Sequence, residues 1–212
     1  MTLFIQAFRY AAEPFFFAQF KNEDARKVYA MVMKYFVIAC AIIFLAIMMY
    51  IDIVKYFIGK NYWPGLKVVP VLLLANLCLG VFFNLSMWYK LTGKTLYGAW
   101  FSIFGAIITI TFNFMLIPKM GYMGAAWTTL ICYGSMMLLS YFTGQRHYKI
   151  NYEVKRILGY LFFAIALFLL SNLVVNLLEP GLILKLLINT IILFTYLFTI
   201  SRIERPPVSL QS

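Results

Sequence analysis

The chain has 212 residues, of which 64% are hydrophobic, 19% aromatic and only 12% charged. A soluble domain of this size cannot bury so much apolar surface, because most of its shell must face water. The formal net charge is +11, but the basic residues lie between apolar runs, where they set topology and contact anionic membrane lipids. The composition therefore predicts an all-α integral membrane protein, a polytopic helical bundle, and argues against a nucleic-acid partner.

Residues 1–20 are apolar overall but carry a polar stripe. Thr2, Gln6, Arg9 and Glu13 follow one another at three- or four-residue intervals, which places them on one face of a helix. Such a helix either lies flat on the membrane surface or crosses it with the stripe facing a bundle interior. We favour a first or partial transmembrane helix, because the stripe is narrow and the following span needs a partner.

Residues 21–200 are predicted to form a bundle of six spans. A spanning helix needs about 20 predominantly apolar residues, and each of these runs is long enough to cross with some tilt. Pro118 and Pro180 are predicted to lie beyond helix ends. The predicted spans are residues 28–51, 68–91, 96–117, 122–143, 157–178 and 182–200, with a tail at 201–212.

The basic residues in the loops and at the ends of the spans predict the orientation, and Lys34 and Lys90 are counted with the loops. Twelve Lys and Arg residues lie on the side that includes the tail, and five lie on the opposite side. Loops rich in Lys and Arg stay in the cytoplasm. The C-terminal tail is therefore predicted to be cytoplasmic, and residues 1–20 would enter the membrane from outside.

No catalytic residue, metal site or cofactor is predicted. The three cysteines lie inside apolar runs, without short spacing to one another or to the single histidine, and are interpreted as buried apolar residues. Four loop carboxylates are interpreted as isolated, solvated groups: Glu23, Asp24, Asp52 and Glu153. The chain is therefore not expected to be an enzyme.

Small residues at four-residue spacing predict helix contacts, because they let backbones approach closely in lipid. Two series show this spacing: Gly98, Ser102 and Ala106 in the third span, and Gly121, Ala125 and Thr129 in the fourth.

Arg9 and Glu13 are the leading candidates for a functional site. Each costs about 2.5–3.5 kcal/mol at mid-membrane on insertion scales, so each should be paired or face water. They are four residues apart and could pair with each other. An anionic substrate would be another partner for Arg9, and the residues alone leave both alternatives open.

The third and fourth spans carry a longer motif. It consists of Asn113, Leu116-Ile117-Pro118, Gly121-Tyr122-Met123-Gly124-Ala125-Ala126 and Thr128-Thr129. This run resembles the N…LIP..G..GAA.AT pattern of polysaccharide transporters in the multidrug/oligosaccharidyl-lipid/polysaccharide (MOP) exporter superfamily. Residues 7–15 and 62–70 look like their counterparts in O-antigen and capsule flippases, so that the likeness covers most of the chain.

The resemblance implies the C-terminal lobe of a fourteen-helix MOP- or MATE-type transporter in the bacterial cytoplasmic (inner) membrane. A missing N-terminal lobe would be needed for alternating access, and the chain would then be a C-terminal fragment or a split-gene product. The implied activity is a flippase that moves an undecaprenyl-diphosphate-linked oligosaccharide during surface polysaccharide (O-antigen, lipopolysaccharide) biosynthesis. Polysaccharide assembly proteins would be further partners.

The resemblance also implies roles for four residues. Arg9 would bind the diphosphate, and Glu13 would adjust the charge or relay a coupling proton. Asn84 and Asn113 would hydrogen-bond the sugar, although polar contacts between helices explain them equally well.

Three alternatives stay open at this point. A multidrug-extrusion antiporter of the same superfamily would move organic cations, which the basic excess and the sparse carboxylates disfavour. A membrane-embedded polysaccharide polymerase would normally carry a large external loop, and the longest here is about residues 52–67. A structural remnant without activity is the third.

Overall fold

A computed structural model describes residues 1–178 and 181–204, and these ranges are helical without a β-strand. Two short 3-10 helices, Lys55–Phe57 and Lys60–Val68, precede the fourth of nine α-helices in the described ranges. The α-helices are α1 Thr2–Gln19, α2 Ala25–Met49, α3 Ile51–Val54, α4 Val69–Leu85, α5 Met87–Leu91, α6 Leu96–Met120, α7 Tyr122–His147, α8 Val154–Leu178 and α9 Leu182–Ile203.

Six helical segments are long and apolar enough to cross a membrane, and each predicted span falls on one of them. The second segment, Lys60–Leu91, joins a 3-10 helix with α4 and α5. The chain is therefore an all-α, multi-pass membrane protein. Pro180 and the predicted tail beyond residue 204 lie outside the described residues.

The end predicted for the third span at Pro118 is wrong, because α6 continues to Met120. A proline in the last turn removes only one backbone hydrogen bond, which a helix tolerates near its end. The turn is made instead by Gly121, whose φ of 57° favours glycine. Gly121 both ends α6 and precedes α7, so the two helices form a tight antiparallel hairpin.

The long helices pack in a row with α4 near its middle. One side of α4 packs on α7, which in turn packs on α6, while the other side contacts α1 and α2. Beyond α2 lie α8 and α9, and a buried core that includes Phe44, Leu73 and Tyr196 joins these helices to α2 and α4. Many apolar side chains on α6, α8 and α9 are exposed, as expected of surfaces that face lipid rather than water.

The predicted helix contacts on α6 and α7 need correction. Ser102 and Ala106 are exposed, so they do not pack on another described helix, although Gly98 approaches Tyr89. The contact face of α6 instead includes Phe101 and Gly105.

On α7 the small residues that are buried belong to a neighbouring series. Gly121 lies in the turn and Ala125 and Thr129 are only partly buried, whereas the buried series is Gly124, Thr128, Cys132, Ser140 and Gly144. A Cβ added at Gly124 would lie 2.4 Å from the carbonyl oxygen of Leu116. The hairpin therefore depends on glycine at that position.

Candidate functional site

The polar stripe of α1 faces the α4–α5 segment. Thr2 donates a 3.1 Å hydrogen bond to Asn76, and Glu13 forms a 2.7 Å ion pair with Lys90. Between them, the Arg9 guanidinium lies 4.8 Å from the centre of the Phe83 ring. Residues 2, 9 and 13 of α1 contact residues 76, 83 and 90 in the same order along the chain, so α1 runs parallel to α4.

The other neighbour of α1 runs in the opposite direction. Ile5 packs in a cluster with Val37, whereas Phe16, later in α1, accepts a 2.8 Å hydrogen bond from Tyr29, earlier in α2. A Cβ at Gly80 would lie 2.3 Å from the Phe36 ring, so this glycine lets α2 and α4 meet beside α1. The helix α2 therefore runs antiparallel to α1, and α4 runs parallel to α1, so the three helices alternate in direction as successive spans do. That α1 crosses the membrane stays a prediction, and this geometry favours it over a helix lying flat.

A narrow cleft lies where α1 meets the junction of α4 and α5, and charged, polar and apolar side chains line it. Ser86 separates the two helices, and its hydroxyl donates a 2.7 Å hydrogen bond to the Phe83 carbonyl oxygen. The backbone of Ser86 stays helical, and its N–H donates a 2.8 Å hydrogen bond to the Phe82 carbonyl oxygen, so α5 continues the direction of α4. The cleft is lined by Arg9, Glu13, Asn84 and Lys90, among others.

The charges of this cleft do not cancel. Glu13 pairs with Lys90 rather than with Arg9, so the Arg9–Glu13 pair considered from the sequence does not form. Within residues 1–178 and 181–204, Arg9 has no carboxylate within ion-pair distance, and Phe83 is its cation–π partner. One positive charge is therefore not neutralised, and the cleft is suited to an anion.

The structure brings together three of the four candidate residues. Asn84 lines the cleft, although its side-chain amide also donates a 3.2 Å hydrogen bond to the Gly80 carbonyl oxygen. Asn113 lies on α6, which packs mainly on α7, and does not line this cleft. Asn113 is separated from Arg9, because α7 and α4 lie between α6 and α1, and its role as a sugar ligand stays a prediction.

Lys90 is the member of the site that sequence reasoning missed, because it counted only as a topology signal in a loop. A signal was present, since a carboxylate in an apolar segment requires a cation. Several lysines could have been the cation that pairs with Glu13, and only the parallel packing of α1 on α4–α5 selects Lys90.

A second charged cluster ties α2, α8 and α9 together at one end of the bundle. Lys34, only 9% exposed, lies 2.7 Å from Glu204 and 3.8 Å from Glu153. Arg156 bridges Glu153 at 3.0 Å and Glu204 at 3.7 Å, and the Tyr160 hydroxyl also hydrogen-bonds Glu204. Burial alone would raise the pKa of Glu204, but the hydrogen bonds from Lys34 and Tyr160 outweigh it, and the pKa lies below its usual value.

At the opposite end of α2, Asp52 pairs with Lys55 at 2.9 Å and with Lys185. The hydrogen bond from Lys185 is the main reason that the pKa of Asp52 is lowered. The interpretation of Asp52 and Glu153 as isolated carboxylates was therefore wrong. Both join helices that are far apart in the sequence.

Among the residues that the structure describes, no cluster of three metal-ligating side chains occurs. All three cysteines are free thiols. Comparison with known proteins gives no significant match to a family model, a curated protein or a solved structure. The resemblance to polysaccharide exporters therefore rests on the sequence motifs alone.

Proposed function

We propose that this chain is one lobe of a transporter that moves a lipid-linked oligosaccharide across the bacterial cytoplasmic membrane, acting with a second lobe. The observation that supports this most directly is the cation of Arg9, which lines a cleft between apolar helices and has no carboxylate partner in the described part of the chain. Arg9 is partly buried, and a cation in a membrane helix without a counter-ion is costly, so such residues are candidates for substrate binding. The exporter-like motifs are the second support.

The chemistry of the cleft fits a diphosphate. The guanidinium of Arg9 can bind two phosphate oxygens in a bidentate manner. Lys90 supplies a second cation, and an incoming phosphate would compete with Glu13 for it. Glu13 would then act as a counter-ion that keeps Lys90 in place when substrate is absent.

The size of the cleft restricts which part of the substrate it takes. In this structure the cleft has room for only about one water-sized group, so it can admit at most part of a phosphate and not an oligosaccharide. The sugar would therefore lie outside the cleft, against the second lobe. Binding at an interface between lobes is common to transporters that work by alternating access.

A multidrug antiporter is the weaker alternative. A carboxylate that binds an organic cation must be free of a stronger partner, and Glu13 already forms a 2.7 Å ion pair with Lys90. An excess of positive charge in the cleft also repels a cation.

The test replaces Arg9 with alanine in cells whose surface polysaccharide depends on this chain. The matched control is Arg202→Ala, because Arg202 also lies over a phenylalanine ring, 5.0 Å from its centre, but does not line the cleft. We expect Arg9→Ala to weaken binding of the diphosphate at least tenfold, a loss of about 1.4 kcal/mol, and to reduce surface polysaccharide. Arg202→Ala should leave it unchanged.

Two measurements decide the result. Immunoblots of the membrane fraction must show equal amounts of each variant, so that a folding defect is not mistaken for lost function. Binding of undecaprenyl diphosphate to the purified chain in nanodiscs should weaken in Arg9→Ala only. Undiminished export at equal protein levels would refute the role of Arg9.

A further inference from the structure

Three buried polar atoms without hydrogen-bond partners among the described residues gather in one region of the bundle. They are the Asn84 side-chain oxygen, the Trp88 indole nitrogen and the Ser140 hydroxyl. The residues are 7%, 3% and 0% exposed, respectively. Buried polar atoms in proteins nearly always have a partner, so each of these calls for one.

The three residues line two adjoining cavities. The first lies between α1, α2, α4–α5 and the segment that follows α7, and the second lies between α4–α5, α7 and that same segment. Asn84 and Trp88 border the first cavity, and Trp88 and Ser140 border the second. The two cavities share Trp88, and also Tyr148 and Tyr152. Each has room for roughly one water molecule beside these polar atoms.

The hydroxyl of Ser140 provides the most specific indication. A serine or threonine inside a helix commonly donates to the carbonyl oxygen four residues earlier. On α7, Thr129, Ser135 and Thr143 do so at 2.6–2.9 Å. On the same helix, Ser140 and Thr128 do not form this bond, and of these two only Ser140 lines one of the cavities.

We propose that ordered water molecules occupy these two cavities and form an interior hydration site. The groups are complementary to water, because the Trp88 N–H donates, the Asn84 oxygen accepts and the Ser140 hydroxyl does both. Asn84 also borders the Arg9 cleft, so this water extends the polar region into the bundle. The inference is independent of the proposed transport function, and it assigns Asn84 a role as a water ligand.

A pair of variants on α7 tests the site through thermal unfolding of the full chain in nanodiscs. Ser140→Ala removes a hydroxyl that binds water and should lower Tm by about 2–4 °C. Thr128→Val is the matched control, because the Thr128 hydroxyl is also buried without a partner among the described residues but does not line either cavity. Removing the Thr128 hydroxyl in this variant should leave Tm unchanged or raise it. An unchanged or higher Tm for Ser140→Ala would overturn the proposal.

Hydroxyl-radical footprinting of the unmodified chain gives a second readout that does not depend on a variant. Radicals formed from bound water should modify Trp88 although it is buried. Met49, which is equally buried at 3% exposure in the core of α2, α8 and α9, should stay unmodified despite its more reactive sulfur. If Trp88 is protected like Met49, the cavities are dry and the proposal is wrong.

Discussion

The ion pair between Lys34 and Glu204 makes a specific prediction about stability. The side chains of both residues are only about a tenth exposed, at 11% and 10%, and the pair joins α2 to the end of α9. Breaking a buried pair by removing one partner costs about 3–5 kcal/mol, because the other charge stays buried. Glu204 keeps Arg156 and Tyr160 as partners, so we expect Lys34→Met to cost about 3 kcal/mol, the lower end of that range.

The assay is thermal unfolding of the purified chain at pH 7. A loss of this size corresponds to a fall in Tm of roughly 6–12 °C for a chain of about this length. The matched control is Lys27→Met, because Lys27 lies 2.8 Å from Asp24 in an ion pair that is exposed to solvent. Exposed pairs contribute little, so its Tm should not change. Equal Tm values for the two variants would refute the reasoning.

The same pair also predicts a pH dependence. The pKa of Glu204 is lowered in the folded chain, so its stabilising effect is present above its unfolded pKa and is lost as pH falls through the lower, folded value. The difference in Tm between Lys34→Met and the unmodified chain should therefore shrink as the solution is acidified below about pH 4.5, the ordinary pKa of a glutamate. Adding Glu204→Gln to Lys34→Met should recover part of the stability that Lys34→Met loses. If the losses of the two single variants simply add in the double variant, the two residues do not interact.

Two further predictions concern the hairpin and the other end of α2. Gly124→Leu should destabilise the chain by about 1–3 kcal/mol, because the new side chain meets the Leu116 carbonyl. The control is Gly134→Leu on the same helix, where the side chain enters open space and stability should not fall. The measurement is the Tm of the two variants. The pKa of Asp52 is lowered mainly by Lys185, so the stability it contributes is lost as pH falls through that lowered value. Asp52→Asn should remove this part of the acid sensitivity in melts from pH 7 to pH 3, and an unchanged pH profile would contradict it.

The predicted spans agree with the structure, apart from the end of α6 near Pro118. Spanning runs and the polar stripe of α1 are repeats of hydrophobicity along a few turns, and lipid leaves helices as the only way to satisfy the backbone of such runs. The same local reasoning failed for the contact face of α7. Gly121 and Gly124 begin two series of small residues about 60° apart on the helix, and periodicity alone cannot decide which series faces α6.

The candidate site was predicted only in part. Arg9 and Glu13 could be identified from the sequence, because charged residues in an apolar segment are rare and costly. Their partners could not be identified, because Lys90 is 77 positions from Glu13 and meets it only through the packing of α1 on α5. Lys34 was mistaken for a loop residue, since nothing local indicates that Glu204 lies beside it.

The sequence by itself therefore determined that this chain is a membrane protein, where its spans lie and which charged residues in the first helix need partners. These properties follow from the free energy of transferring short segments into lipid, which depends on composition and helical periodicity. The tertiary structure alone decided that Glu13 binds Lys90, that Arg9 has no carboxylate beside it in residues 1–178 and 181–204, and that Asn113 lies elsewhere. Lipid does not drive helices together by the hydrophobic effect, so their arrangement depends on close contacts such as that of Gly80 with Phe36, which composition does not reveal.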